Sequence, residues 1–250
     1  MKKIIAFDLD GTLAESKSAM TDSMAELFEK LLEQKEVCII SGGKYEQFQQ
    51  QALSGMNISN HLLARLHLMP TCGTRYYRYN DIKSEWVKLY SEDIPVKDRK
   101  RIIEIVHDAA KELDLLEKSP FGEIIEDRGS QITFSALGQK APADKKHAWD
   151  PDGSKKLSLR DKVAPLIPEY EVRTGGSTSI DITKLGIDKA YGMKKLMEQT
   201  NTAMEEILFI GDALHEGGND YPVRAMGIDS IAVENYLQTE RIIETILAVT

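Results

Sequence analysis

The chain is poor in the features that mark several protein classes. It has only two cysteines, Cys38 and Cys72, and no Cys-x-x-Cys pair. That excludes a disulfide scaffold and a zinc cluster, and fits a reducing cytoplasm. No apolar run approaches the ~20 residues needed to cross a bilayer, so no membrane partner is expected. The first seven residues are basic and then apolar, but Asp8 ends the apolar stretch too early for a signal peptide. Positive charge is also in deficit. With 32 Lys+Arg against 40 Asp+Glu the net charge is −8, whereas nonspecific nucleic-acid binding needs a basic surface. Internal repeats and low-complexity tracts are missing. What remains is 250 residues, 42% hydrophobic and 29% charged. That suffices for one or two cores and is too apolar for a disordered chain.

The apolar pattern alternates between strand and helix signals. Ile4-Ile5-Ala6-Phe7, Val37-Cys38-Ile39-Ile40 and Leu66–Met69 read as buried strands. Met20, Met24, Leu27, Phe28, Leu31 and Leu32 fall at helical spacing, with Thr21 or Ser18 as the cap. Residues 76–79 and 86–90 flank Asn80-Asp81 and read as a hairpin. The middle of the chain differs. An amphipathic helix is expected over 97–116, strands over 123–127 and 131–137, and a polar stretch over 138–158. A helix over 159–167 and a strand over 170–173 follow. The alternation then resumes, with a helix over 190–197, strands over 207–210 and 231–233, and a last helix over 241–247. This order predicts an α/β fold: a doubly wound parallel-sheet core (1–82 plus 187–250) with an inserted α+β domain (83–186). The polar part of the insertion gathers Lys140, Lys145, Lys146, Lys155, Lys156, Arg160 and Lys162. Those charges suit an anionic substrate, or simply a solvated loop.

Phe7-Asp8-Leu9-Asp10-Gly11-Thr12 places two carboxylates where an apolar strand ends, the edge at which α/β sheets bind ligands. A carboxylate there can attack phosphorus, and its neighbour two residues on can carry the proton. Gly11 frees the turn, and Thr12 offers a hydroxyl to a phosphate. A plain turn-capping Asp pair is the alternative. Gly211-Asp212 with Gly217-Gly218-Asn219-Asp220 also follows a buried strand, and acidic groups brought near Asp8 call for a hard cation such as Mg²⁺. Ser41 and Gly42, at the end of the second strand, offer a hydroxyl and backbone N–H groups to phosphate, or a helix cap. Lys189, at a helix start, can neutralise a phosphoryl group.

On these motifs (Asp8-x-Asp10-Gly11-Thr12, Ser41, Lys189, Gly211-Asp212 with Asn219-Asp220) the chain resembles the haloacid dehalogenase-like superfamily. The insertion resembles the α/β cap of its subfamily IIB. The likeness is greatest to eukaryote-type phosphomannomutases, through Phe209–Asp220 with its Gly-Gly-Asn-Asp, Asp188-Lys189-Ala190-Tyr191-Gly192, and Gly175-Gly176-Ser177-Thr178-Ser179-Ile180-Asp181. The resemblance implies Asp8 as nucleophile and Asp10 as general acid/base. It implies Mg²⁺ held by Asp8, the Asp10 backbone carbonyl and Asp212, with Asn219 and Asp220 supporting the shell. It also implies cap contacts to substrate from Arg128, Lys146, Ser179 and Asp181, and a homodimer through the caps. Lys17, Gln139 and Lys146 stand where the mutases carry arginines that clamp a second phosphate. A lysine supplies a point charge rather than a bidentate fork, and Gln139 supplies no charge. The sequence therefore predicts a Mg²⁺-dependent phosphatase of a sugar phosphate or similar small monoester. A hexose-phosphate mutase is the alternative, and a phospho-switch or binding module is the third reading.

Overall fold

The computed structural model describes the chain apart from Lys17, Asn57, Thr250 and the Ala143 side chain. Strands β1 (Ile4–Phe7), β2 (Glu36–Ile40), β3 (Leu66–Met69), β4 (Arg75–Asn80) and β5 (Glu85–Ser91) come first. β6 (Ile125–Asp127), β7 (Gln131–Ser135), β8 (Tyr170–Thr174) and β9 (Ser179–Lys184) follow, then β10 (Ile207–Gly211) and β11 (Asp229–Ala232). The chain divides into two compact units, Met1–Ser91 with Asp188–Thr250, and Glu92–Ile187.

The first unit holds a sheet in the order β11-β10-β1-β2-β3-β4-β5. β11, β10, β1, β2 and β3 run parallel, and β4 and β5 close one edge as an antiparallel hairpin. Side chains alternate between its faces. Ile5, Phe7, Val37, Ile39, Leu66 and Leu68 pack with Met24, Phe28, Leu31 and Leu32 of the helix Asp22–Gln34 and with Ile243 of the helix Tyr236–Val249. Ile4, Ala6, Cys38, Ile40 and Met69 pack on the other face with Met193 and Leu196 of the helix Lys189–Thr200. Both faces are covered, which is why these strands are continuous apolar runs. Thr21 caps the first helix, its hydroxyl accepting from Met24 N at 3.1 Å.

The second unit carries the antiparallel sheet β6-β7-β9-β8. Ile132, Phe134, Ile180 and Ile182 pack against Ile102 and Val106 of the helix Val96–Glu112 and Leu159 and Val163 of the helix Ser154–Val163. The intervening residues Gln131, Thr133, Ser135, Ser179, Asp181 and Thr183 share the opposite face, with Thr133 paired to Asp181 and Ser135 to Ser179.

Several sequence expectations need correction. The boundary at residue 83 falls inside the hairpin: β5 pairs along β4, and β4 pairs with β3, so 85–91 belong to the larger sheet. The polar stretch 138–158 contains the helix Ala143–Trp149 and the start of Ser154–Val163, which lack apolar periodicity to announce them. The helix expected over 97–116 stops at Glu112, and Asp114 takes a left-handed φ of 54°. Among the described residues, no helix is long and apolar enough to cross a membrane.

Candidate active site

The site is assembled at the carboxyl ends of β1, β2 and β10 and at the start of one helix. Asp8 directly follows β1, and its N–H donates to Ile210 O at 3.0 Å, so the parallel pairing runs up to the carboxylate. The chain then turns through Gly11 at φ +83°, and a Cβ there would stand 2.6 Å from Asp212 Oδ2. Glycine is therefore required both by the left-handed turn and by the approach of the second acidic loop. Thr12 is fully buried and its hydroxyl has no partner. An orphaned buried donor at this turn suits a phosphate oxygen. Ser41 directly follows β2, buried, its Oγ accepting from Gly43 N at 3.1 Å. The hydroxyl thus orders its own glycine turn, with the half-buried Gly42 between, rather than capping a helix.

Lys189 opens the helix Lys189–Thr200, whose Asp188 cap accepts from Tyr191 N at 2.9 Å. Its side chain is fully buried, and Nζ donates to Asp8 Oδ1 and Asp220 Oδ1, each at 2.5 Å. Asp220 is fully buried, and its other oxygen accepts from Ala213 N at 3.0 Å. Asp212 is exposed after β10. One carboxylate oxygen from each of Asp8, Asp212 and Asp220 lies within 4.8 Å of the others.

Three carboxylates around one ammonium leave negative charge uncompensated. Burial pushes the Asp8 carboxyl up to about 7 against the downward pull of Lys189, and the Asp220 and Asp212 charges push the same way as burial. Although Asp212 is exposed, the protein around its carboxylate partly desolvates it and raises its pKa, with Asp220 adding to the rise. Burial opposes the Lys189 charge, yet Asp8 and Asp220 hold its pKa above the usual lysine value. An all-oxygen donor set carrying surplus negative charge fits a hard divalent cation. Asp8, Asp212 and Asp220 would hold it, so Asp220 stands in the cluster itself. Asn219 is exposed beside it.

The Asp10 carboxylate stays out of this cluster. Gln47 Nε2 donates to its Oδ2 at 2.7 Å and Gln51 Nε2 to its Oδ1 at 3.1 Å. Sequence reasoning missed both glutamines. The available signal was their four-residue spacing just after the Ser41 glycine turn.

The expected cap residues form two groups. Ser179 and Asp181 share the polar sheet face: Ser179 Oγ meets Ser135 Oγ at 2.8 Å, and Asp181 Oδ1 accepts from Gln131 Nε2 at 2.8 Å and Thr133 Oγ1 at 2.7 Å. Arg128 and Lys146 meet through Gln139. Arg128 donates to Gln139 Oε1 at 3.5 Å, and Lys146 Nζ to Gln139 O at 3.3 Å. The Arg128 Nε also pairs with Glu126 at 2.7 Å. Lys17 lies outside the described residues.

A buried Asp–Lys–Asp set at the strand ends of a doubly wound sheet, with an α+β insertion, defines the haloacid dehalogenase-like class. A haloacid dehalogenase-like hydrolase from Bacteroides thetaiotaomicron shares this fold, with a TM-score of 0.65 and 17% identity over 98% of this chain and 100% of that one. The model of the family described as eukaryotic phosphomannomutase matches residues 24–249, and the chain belongs to that family. A phosphomannomutase of Encephalitozoon cuniculi is 26% identical over 98% of this chain and 94% of its own length. One of Schizosaccharomyces pombe is 24% identical over 89% and 85%. The protein is an enzyme of the haloacid dehalogenase-like phosphohydrolase or phosphomannomutase type.

Proposed function

We propose that this protein is a Mg²⁺-dependent hexose-phosphate mutase, interconverting mannose 1-phosphate and mannose 6-phosphate through an aspartyl-phosphate on Asp8. The mutase thus takes precedence over the phosphatase that the arginine-poor sequence favoured. One observation carries it: the family match runs through 24–249 and so includes the insertion with Ser179 and Asp181 as well as the motifs around Lys189 and Asp220. The match thus takes in the part of the chain that would select the acceptor, and it begins after Asp8, Asp10 and Thr12.

In this reading a carboxylate oxygen of Asp8 bonds to a phosphorus of a hexose bisphosphate as its bond to the sugar oxygen breaks, and Asp10 gives that oxygen its proton, releasing a hexose monophosphate. In the other half a hydroxyl of a bound hexose monophosphate attacks the aspartyl-phosphate, Asp10 takes its proton, and Asp8 is released. The hexose bisphosphate so formed must rebind in the opposite orientation to complete the exchange. Lys189 holds Asp8 in place and offsets charge on the phosphoryl oxygens, which Thr12, Ser41 and the Gly42 turn receive. Mg²⁺, when bound by Asp8, Asp212 and Asp220, supplies further compensation for that charge. Asp181, fixed at Oδ1 by Gln131 and Thr133, and Ser179 offer hydrogen bonds to sugar hydroxyls.

A second reading, the sugar-phosphate phosphatase, is favoured by one observation. Around Arg128 the cap places an uncharged Gln139, and Glu126 already compensates the guanidinium. A weak second phosphate site would let water intercept the aspartyl-phosphate. The test is ³¹P NMR of mannose 1-phosphate with Mg²⁺, with and without a hexose bisphosphate. Mannose 6-phosphate is expected, and inorganic phosphate alone would establish the phosphatase. A dimer through the caps belongs to the mutase reading and is tested by light scattering.

A further inference from the structure

The Asp10 carboxylate is gripped at both oxygens by two uncharged side chains from one short element, Gln47 at Oδ2 and Gln51 at Oδ1. A single α turn, Tyr45–Phe48, passes directly into the π-helical turn Gln49–Leu53. Residues four apart on a helix share a face, so both amides reach the same carboxylate. The wide π turn is rare and is frequently found at functional sites.

The surroundings fix each amide. Gln51 is 2% exposed, and its Nε2 also donates to Ser18 O at 3.1 Å and approaches Glu15 O at 3.5 Å. Its Oε1 is buried with no donor. The amide orientation is thus dictated by acceptors around the nitrogen, at the cost of a stranded oxygen, a cost that folds seldom bear without a use. Gln47 Oε1 packs against Gly43 so closely that a Cβ there would collide with it. Gly43 N in turn donates to Ser41 Oγ. Gln47 therefore stands between the Ser41 turn and the Asp10 carboxylate. An ionised carboxylate offers about four acceptor sites, so two amide bonds orient it without exhausting it.

We propose that Gln47 and Gln51 are positioning residues for phosphoryl transfer. They hold Asp10 in the orientation from which it protonates the leaving oxygen and deprotonates the incoming hydroxyl. The proposal rests on the aspartyl-phosphate reading of Asp8 and Asp10. It explains why a buried glutamine with a stranded oxygen sits beside an acid/base group, which packing alone does not.

Leaving groups provide the test. p-Nitrophenyl phosphate expels a stable anion and needs no acid to form the aspartyl-phosphate, whereas a sugar phosphate needs one. Gln47→Met and Gln51→Met keep the side-chain length and remove the donor. Each should lower kcat for mannose 1-phosphate by about 10–100-fold, with KM and aspartyl-phosphate formation from p-nitrophenyl phosphate held within about 3-fold. Added to Asp10→Ala, Gln47→Met should cost nothing further. Gln51 is the more deeply buried, so if its variant fails to fold, the half-buried Gln47 decides alone. Equal losses on both substrates, or a full additional loss on Asp10→Ala, would overturn the proposal. Wild-type protein that turns over neither substrate would instead overturn the phosphoryl-transfer reading, and this proposal with it.

Discussion

The two units order their polar groups by different means. Around Asp8 charge answers charge: Lys189 bridges Asp8 and Asp220, with Asp212 beside them. On the polar face of the smaller sheet the ordering is done by neutral groups. Gln131 and Thr133 hold Asp181, and Ser135 meets Ser179. Buried negative charge in surplus creates a demand for a cation whatever sugar is bound. Fixed neutral donors and acceptors distinguish hydroxyl patterns, because a buried polar group left unpaired by the wrong ligand is costly. On the proposed reading, one unit serves the reaction and the other the choice of substrate.

The comparison breaks most directly at Asp8. Asp8→Asn should lower turnover of every phosphate monoester by about 10⁴-fold or more, since a nucleophile has no substitute. Steady-state rates with mannose 1-phosphate and p-nitrophenyl phosphate check this, and a loss on only one of them contradicts it. Asp181→Asn should do the opposite. A hydrogen bond to a charged group contributes about 1.5–3 kcal/mol, so kcat/KM for mannose 1-phosphate should fall about 10–100-fold. Aspartyl-phosphate formation from p-nitrophenyl phosphate should not change. A smaller effect sharpens the comparison within the cap: Gln139→Arg adds a guanidinium beside Arg128 and should raise the ratio of mutase product to inorganic phosphate by about 3–10-fold. Product partition by ³¹P NMR measures it, and an unchanged ratio would show that this group does not hold the second phosphate.

The smallest expected effect is on stability. Folded Asp8 retains its proton up to about pH 7, whereas an unfolded aspartate ionises near 3.9. Between these values the folded state binds more protons, so Asp8 makes the metal-free protein lose stability as pH rises from about 4 to 7. Asp8→Asn removes that slope. Melting temperatures of variant and wild type should diverge in the variant's favour across this window, by about 2–4 °C for each kcal/mol. Mg²⁺ should reduce the gap above pH 7. A gap independent of pH contradicts the account.

The larger sheet was mostly legible in the sequence because its strands are buried on both faces. β1 and β3 fall where the apolar runs Ile4–Phe7 and Leu66–Met69 predict, and Lys189 opens a helix as expected. What could not be read was pairing. Periodicity shows that 76–79 and 86–90 are strands, but not that β4 lies against β3, which moves the hairpin into the larger unit. The helix Ala143–Trp149 was missed because its residues are mostly charged or small. In the site, carboxylates and the lysine announce themselves by type and motif. Gln47 and Gln51 do not, because glutamine is ordinary on helices and only the fold brings both amides to one carboxylate. The polar cap face is intermediate. Alternation along β7 and β9 marks Thr133 and Asp181 as same-face residues, but their register as partners exists only once the strands pair.

The central claim is that the phosphoryl group on Asp8 is handed to a sugar. The most direct measurement is a chase of the labelled phosphoenzyme: load the protein with ³²P, add mannose 6-phosphate, and follow the label. The account predicts that it leaves as hexose bisphosphate faster than as inorganic phosphate. Release as inorganic phosphate at a rate indifferent to mannose 6-phosphate would contradict it.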